Sequence, residues 1–325
     1  MGFILDLIFG DPYFMPHPVR FIGNLIRRTE KFLRKQEENK LLFFLKDKEK
    51  RQRVLGFILW GITVGTTFLV VLGINYLAYK INKILFVLVN IYFLYSALAS
   101  KCLAFEGNKI YKSLEENDLE KSRLNLSYIV GRETKYLNEK QIIKATVETI
   151  AENTVDGITS PLFYAFIGSF FGIAAPLAYA YKAVNTLDSM VGYKNEKYEN
   201  YGFASAKIDD IANYIPARIT GIIMTISAFL LGLDFKNSFK TLIRDRRNHK
   251  SPNCAYSEAP VAGALGLQLG GTHVYFGKEV YKPTIGEKIK EPENKDIKLT
   301  IKIMYTTAII VLIALVIIKG GAHYV

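Results

Sequence analysis

Cysteine, tryptophan and histidine are scarce in this chain: two cysteines, Cys102 and Cys254, one tryptophan and four histidines in 325 residues. The two cysteines lie far apart and have no metal-ligand spacing, so separate thiols read better than a disulfide or a zinc site. No HExxH, no Ser-His-Asp order and no P-loop is present, which leaves covalent serine or cysteine hydrolysis without support. The glycine-rich run GALGLQLGG is not a GxGxxG fingerprint following a strand, and its glycines are read as helix-packing positions. Internal repeats and low-complexity linkers are also missing. Charge is thin as well, at 22% of residues against 50% hydrophobic, with a positive mean hydropathy of +0.14.

What the chain does have is long stretches with no charge at all. Val54–Tyr79 runs for 26 residues, Ile84–Ser100 for 17 and Gly157–Tyr181 for 25, with shorter runs of 15 at Ile219–Leu233 and 16 at Ile303–Ile318. A helix needs about 20 residues to cross the hydrocarbon core of a bilayer, so these five runs predict membrane-embedded helices. The expectation is an all-α, polytopic integral protein of the cell membrane with about five transmembrane or re-entrant helices and amphipathic cytoplasmic helices. It forms one membrane-embedded domain over 1–325, with a basic amphipathic segment at 11–53 and polar, motif-bearing loops at 101–157, 182–214 and 234–298. The opening Met1–Gly10 is apolar but holds Asp6. It is too short to cross and a poor signal peptide, so an interfacial or half-inserted helix is expected.

The net charge of +12 follows the topology rather than a nucleic-acid surface. Lys and Arg number 12 in 11–53, 2 in 75–83, 9 in 101–157, 4 in 182–214 and 12 in 234–298. That alternation is what basic cytoplasmic loops between crossings produce, and it points to anionic lipid, with no nucleic acid. It also places 101–157 and 182–214 on opposite sides. Pro161, Gly168, Gly172 and Pro176 offer the alternative, a re-entrant hairpin at 157–181 turning near Gly172.

Polar residues crowd around these apolar runs. Three prolines, Pro12, Pro16 and Pro18, make a loop of DPYFMPHPVRFIG, which brings His17 and Arg20 beside the membrane ahead of a basic helix over roughly Ile22–Lys50. A helix from Asn138 to Gly157 would put Glu148, Glu152 and Asp156 on one face. Like charges at that spacing repel unless a divalent cation or a cationic partner sits between them. Oxygen ligands of this kind suit Mg²⁺, with Asn153 alongside; a solvated face partly neutralised by Lys144 would give the same pattern. Lys182, Asn185, Asp188 and Ser189 form a second face, where a lysine charge fits phosphate and Asn with Asp orients a metal or polar substrate. Asp209 and Asp210 are further candidate ligands, and Arg218, just inside an apolar helix, calls for an anionic partner, whether a substrate or a structural aspartate. Arg244, Asp245, His249, Ser251, Asn253 and Glu258 crowd one loop that suits an anion or nucleotide. This chemistry reads as a membrane enzyme handling a phosphorylated substrate with Mg²⁺. A transporter would show inverted repeats. A Mg²⁺-dependent membrane prenyltransferase would carry a further aspartate after Asp188, where Val191, Gly192 and Tyr193 stand.

Taken together, DPYFMPHPVRFIG, SYIVGRET, VETIAENTVDG, PLFYAFIG, YKAVNTLDSMVGY, IDDIANYIPARIT, HKSPNCAYSEAPVAGAL and YFG resemble the adenosylcobinamide-phosphate synthase family of cobalamin biosynthesis. The resemblance runs from Asp6 to about Gly286, in the family's order. It implies an ATP-dependent, amide-forming ligase joining adenosylcobyric acid to aminopropanol phosphate or aminopropanol. The cofactors implied are ATP and Mg²⁺, and the partners are the lipid bilayer and other cobalamin-assembly membrane enzymes. A transporter or binding protein for corrinoids is the alternative. Under the resemblance, Glu148, Glu152 and Asp156 hold Mg²⁺ or orient the amine. Lys182, Arg218, Arg244 and Arg20 contact phosphate or corrinoid carboxylate, and His17 or Asp188 takes the amine's proton. The sequence departs from the family pattern at Glu133 for Asp, Lys207 for Arg and Cys254–Ala255 for Ala-Gly. Position 207 thereby loses bidentate geometry. The N-terminus is also shorter than the pattern, so the first membrane helix is expected to be partial or absent.

Overall fold

The computed structural model describes residues 1–11, 17–38, 47–193, 195–275 and 277–321. Most of the proline loop, including Pro12 and Pro16, and residues 39–46 of the expected basic helix lie outside the described residues. In chain order the helices begin with α1 (Gly2–Phe9), α2 (Pro18–Glu38), α3 (Lys48–Ile81), α4 (Lys83–Ser96), α5 (Ser100–Glu115), α6 (Leu119–Ser127) and α7 (Glu139–Thr154). They continue as α8 (Ser160–Ser169), α9 (Ala174–Val191), α10 (Phe203–Ala212), α11 (Tyr214–Leu230), α12 (Phe235–Asp245), α13 (Cys254–Leu265) and α14 (Asn294–Gly321). One antiparallel hairpin, β1 (Leu269–Tyr275) and β2 (Lys278–Ile285), interrupts this all-α fold, with a bulge between Leu269 and Gly271. Among the described residues three helical stretches are long and apolar enough to cross a membrane: Lys48–Ile81, Lys83–Glu115 (which leaves helical geometry near Ala97) and Asn294–Gly321. The 17-residue α11 is apolar but shorter.

Several sequence expectations are revised. The basic segment is not one helix over 22–50. The described part of α2 runs to Glu38, and the chain leaves helical geometry at Asp47, whose carboxylate caps the Glu49 and Lys50 N–H groups as a new helix starts at Lys48. The 157–181 run follows the hairpin alternative read from the sequence, turning near Gly172, and not the single crossing. Gly172, with φ 71, makes the turn between α8 and α9 in a left-handed conformation that a side chain disfavours. The chain then doubles back, stacking the rings of Tyr164 and Tyr181 with centroids 5.0 Å apart. The helix from Asn138 stops at Thr154 and opens into a π turn at Val155–Thr159, which takes Asp156 out of strict register with Glu148 and Glu152.

The chain forms two compact units. The first comprises Met1–Leu98 and Pro161–Ala212. Its core gathers Ile22, Ile26 and Leu33 from α2, Leu55, Leu59 and Val71 from α3, and Ala178, Tyr179, Ala183 and Leu187 from α9. The expected N-terminal helix is present as α1, whose Gly2 packs on the Leu94–Tyr95 backbone of α4. Ser96 and Tyr179 hydroxyls, 2.6 Å apart, tie α4 to α9. The second unit comprises Ala99–Ser160 and Asn213–Val325. Its helices are likewise laced by hydroxyl pairs, Thr159 with Thr220 at 2.6 Å and Ser227 with Thr307 at 2.9 Å. Such bonds hold helices together where the surroundings are too apolar for hydrophobic burial to drive association.

Candidate functional site

The fold sorts the predicted site residues into two sets. Seven belong to the first unit: His17, Arg20, Lys182, Asn185, Asp188, Asp209 and Asp210. His17 immediately precedes α2, with its Nε2 3.3 Å from Asp11 and its Nδ1 accepting the Val19 N–H at 3.3 Å, while Arg20 is exposed. Lys182, Asn185 and Asp188 are half-buried along one face of α9, and Asp209 is buried on α10 beside the half-buried Asp210.

The second unit builds the denser constellation, and it starts from α7. An Asn138–Gln141 capping box fixes the start of that helix. Two turns later Glu148 is only 4% exposed. Its carboxylate accepts from the buried Arg132 guanidinium and from the Gly270 N–H at 2.8 Å. Glu152, one turn on, accepts a hydrogen bond from the Cys254 thiol at 3.0 Å. Glu258 lies one turn beyond Cys254 on α13, also 4% exposed, and among the described residues it takes no hydrogen bond. Burial, then the neighbouring Glu148 and Glu152, push its carboxyl well above the usual range, while Lys282 and Arg132 pull the other way. Burial with Glu152 and Glu258 likewise pushes the Cys254 thiol up.

The loop between α12 and α13 supplies the polar rim. The Ser251 N–H donates to His249 Nδ1 at 3.0 Å, leaving the proton of a neutral ring on Nε2. Burial, with Lys282 nearby, lowers the His249 pKa, and Glu152 and Glu148 act against that. Asn253 donates its N–H to Ser251 Oγ at 3.3 Å and accepts from Arg218 at 3.3 Å. The Arg218 guanidinium lies 3.3 Å from the Tyr214 ring centroid and 4.3 Å from that of Tyr256, a cation held on two aromatic faces.

Some predicted residues have other work. Arg244 grips Asp245 through two bonds of 2.7 Å and pairs with Glu287. Burial opposes the charged form of Asp245, yet Arg244 and the Gly286 N–H bring its carboxyl below the usual range. This pair anchors α12 to the end of the hairpin. Asn153 bonds back to the Thr149 carbonyl at 2.9 Å, and Asp156 sits in the π turn. Among the described residues no three His, Cys, Asp or Glu are arranged to hold a metal ion. Of the expected ligands, Glu148, Glu152 and Asp156 belong to the second unit and Asp209 and Asp210 to the first. Sequence reasoning did not single out Arg132, Lys282 or Cys254 for the site. Arg132 and Cys254 do stand in the motif strings GRET and SPNCAYSE, the only signal available for them.

A helical, membrane-type protein whose second unit closes around a buried cluster of carboxylates, arginine and histidine is the class that fold and site define. The chain belongs to the CobD/Cbib protein family, which matches residues 1–304. It is 49% identical to "Cobalamin biosynthesis protein CobD" of Clostridium perfringens, over 98% of this chain and 96% of that one. It is 50% identical to the protein of the same name from Listeria monocytogenes serotype 4b, over 96% and 94%. Identity to "Cobalamin biosynthesis protein CbiB" of Salmonella typhimurium is 44%, over 99% and 96%. No solved structure matches.

Proposed function

We propose that this protein is an amide-forming ligase of cobalamin biosynthesis. It joins a carboxylate of adenosylcobyric acid to aminopropanol phosphate, or aminopropanol, with ATP consumed. The observation that carries this reading is the cluster of the second unit, in a chain whose relatives are named for cobalamin biosynthesis. Amide formation from a free carboxylate needs two kinds of group. Cationic and N–H donors stabilise the phosphate and the oxyanion as the acyl group is activated and attacked. A carboxylate positions the amine and takes its proton. Arg218, His249 Nε2 and Lys282 offer the first; Glu152 and Glu258 offer the second. Glu148, neutralised by Arg132, is a positioning residue that fixes the hairpin through Gly270. Magnesium supplies charge neutralisation when it enters on the nucleotide's phosphates, since no three protein ligands converge for it among the described residues. Lys182 and Asp188 on α9, with His17, are the residues of the first unit proposed for catalysis.

The test is turnover by detergent-purified protein given adenosylcobyric acid, aminopropanol phosphate, ATP and Mg²⁺, with the corrinoid amide read by mass spectrometry. Product that requires ATP and is lost in Glu152→Gln and Lys182→Ala supports the ligase. Corrinoid binding with no product under any condition would replace it with a binding or transport role.

A further inference from the structure

Glu258 poses a physical problem that the rest of the cluster does not. Glu148 has Arg132 and a backbone N–H, and Glu152 has the Cys254 thiol. Glu258, as buried as Glu148 and within electrostatic reach of both, has no donor among the described residues. A buried carboxylate in that condition costs several kcal/mol as an anion, so it either keeps a proton or awaits a cation. The donor now on Glu152 is a thiol, a weak one that a stronger donor can replace. A metal ion is a poor candidate, because no three ligating groups converge there among the described residues. A primary ammonium, compact and carrying three donors, matches two carboxylates that lie within electrostatic reach of each other, with Cys254, which bonds Glu152, one turn from Glu258 on α13.

We propose that Glu258 and Glu152 form an ammonium-binding subsite that receives the primary amine of the amino-alcohol substrate. This rests on the ligase reading for the identity of the amine, not for its charge. In use, one N–H bond of the bound ammonium breaks, the electron pair stays on nitrogen, and the proton passes to a Glu258 oxygen. The free amine is then the nucleophile. Burial beside Glu148 and Glu152 raises the proton affinity of the Glu258 carboxyl, which fits it to accept that proton. The groups that face it are Glu148 and Glu152 from α7, Cys254 from its own helix, and Arg132, Lys282 and His249 around them.

Calorimetry on the full chain in detergent tests this, with two probes: aminopropanol phosphate, and propanediol phosphate, in which a hydroxyl replaces the ammonium. The wild type should prefer the amine by at least about tenfold, and Glu258→Gln should remove that preference while Glu258→Asp restores part of it. The preference for the amine over the hydroxyl probe should fall as pH drops through the raised Glu258 value in the wild type and stay absent at every pH in Glu258→Gln, the phosphate titration being common to both probes. Equal binding of the two probes, or a Glu258→Gln affinity within about twofold of wild type, overturns the subsite. Amine binding that depends on Glu258 without any corrinoid amide product would keep the subsite and sink the ligase. Amide formation by Glu258→Gln with an unchanged KM for the amine would do the reverse.

Discussion

In the first unit Arg34 and Arg53 lie on aromatic faces near the surface. Arg34 stands 4.3 Å from the Tyr201 ring centroid, bonds Glu30 at 2.9 Å and caps the Lys197 carbonyl at 3.1 Å, while Arg53 lies over Phe203 and bonds Asn200. In the second unit Arg132 is buried with Glu148, and around that pair stand a carboxylate with no donor among the described residues, a thiol and a histidine whose pKa burial lowers. Both units spend charge, but with opposite results. Around Arg34 and Arg53 solvent shares the charge with the aromatic rings; around Arg132 and Glu148 each charge depends on its neighbours. Dependence of that kind is expensive to maintain, and it is where ligand chemistry concentrates.

Substitutions can break this contrast. Arg132→Ala should cost the most, about 3–5 kcal/mol, because it strands Glu148 as a buried anion. Thermal unfolding in detergent reads it, and a wild-type Tm would mean that the pair is not structurally important. Gly56→Ala probes the first unit. A Cβ there would lie 2.1 Å from the Tyr201 carbonyl oxygen, so α3 must shift, at about 1–3 kcal/mol by the same measurement. Glu258→Gln should go the other way and stabilise the empty protein by roughly 1–2 kcal/mol at neutral pH. The folded pKa lies above the unfolded one, so the stability of the protonated form is complete below the ordinary glutamate range and is lost as pH rises through the raised value. Wild type and variant should therefore melt together in acid and separate as pH climbs; a gap independent of pH would refute the assignment. Arg34→Ala should change stability least, by about 0.5–1 kcal/mol, and a larger loss would erase the distinction between the units.

The membrane helices were legible because an uncharged run is a property of the chain alone: Val54–Tyr79 lies inside α3, and Ile303–Ile318 inside α14. The hairpin was not. Its strands depend on distant partners, with Glu133 giving its N–H to the Val274 carbonyl and accepting from Gly277, and Gly270 giving its N–H to Glu148. No local periodicity announces such contacts. The same holds for Arg132, sixteen residues from Glu148 and in an irregular segment. Glu148, Glu152, His249, Asn253 and Glu258 could be picked out as polar residues in motif strings, whereas Asp156 was misplaced in register by a π turn that spacing rules do not foresee.

The contact between Cys254 and Glu152 gives the protein an indicator of its own. Only two thiols exist in the chain, so a Cys102→Ser background leaves one. The Cys254 thiol is kept protonated by burial and by the two carboxylates that face it. A positive charge arriving between those carboxylates removes part of that influence and increases the thiolate fraction, on which alkylation depends. The rate at which a small haloacetamide labels this single sulfur then becomes a clock for occupancy, one that needs no chromophore, isotope or turnover.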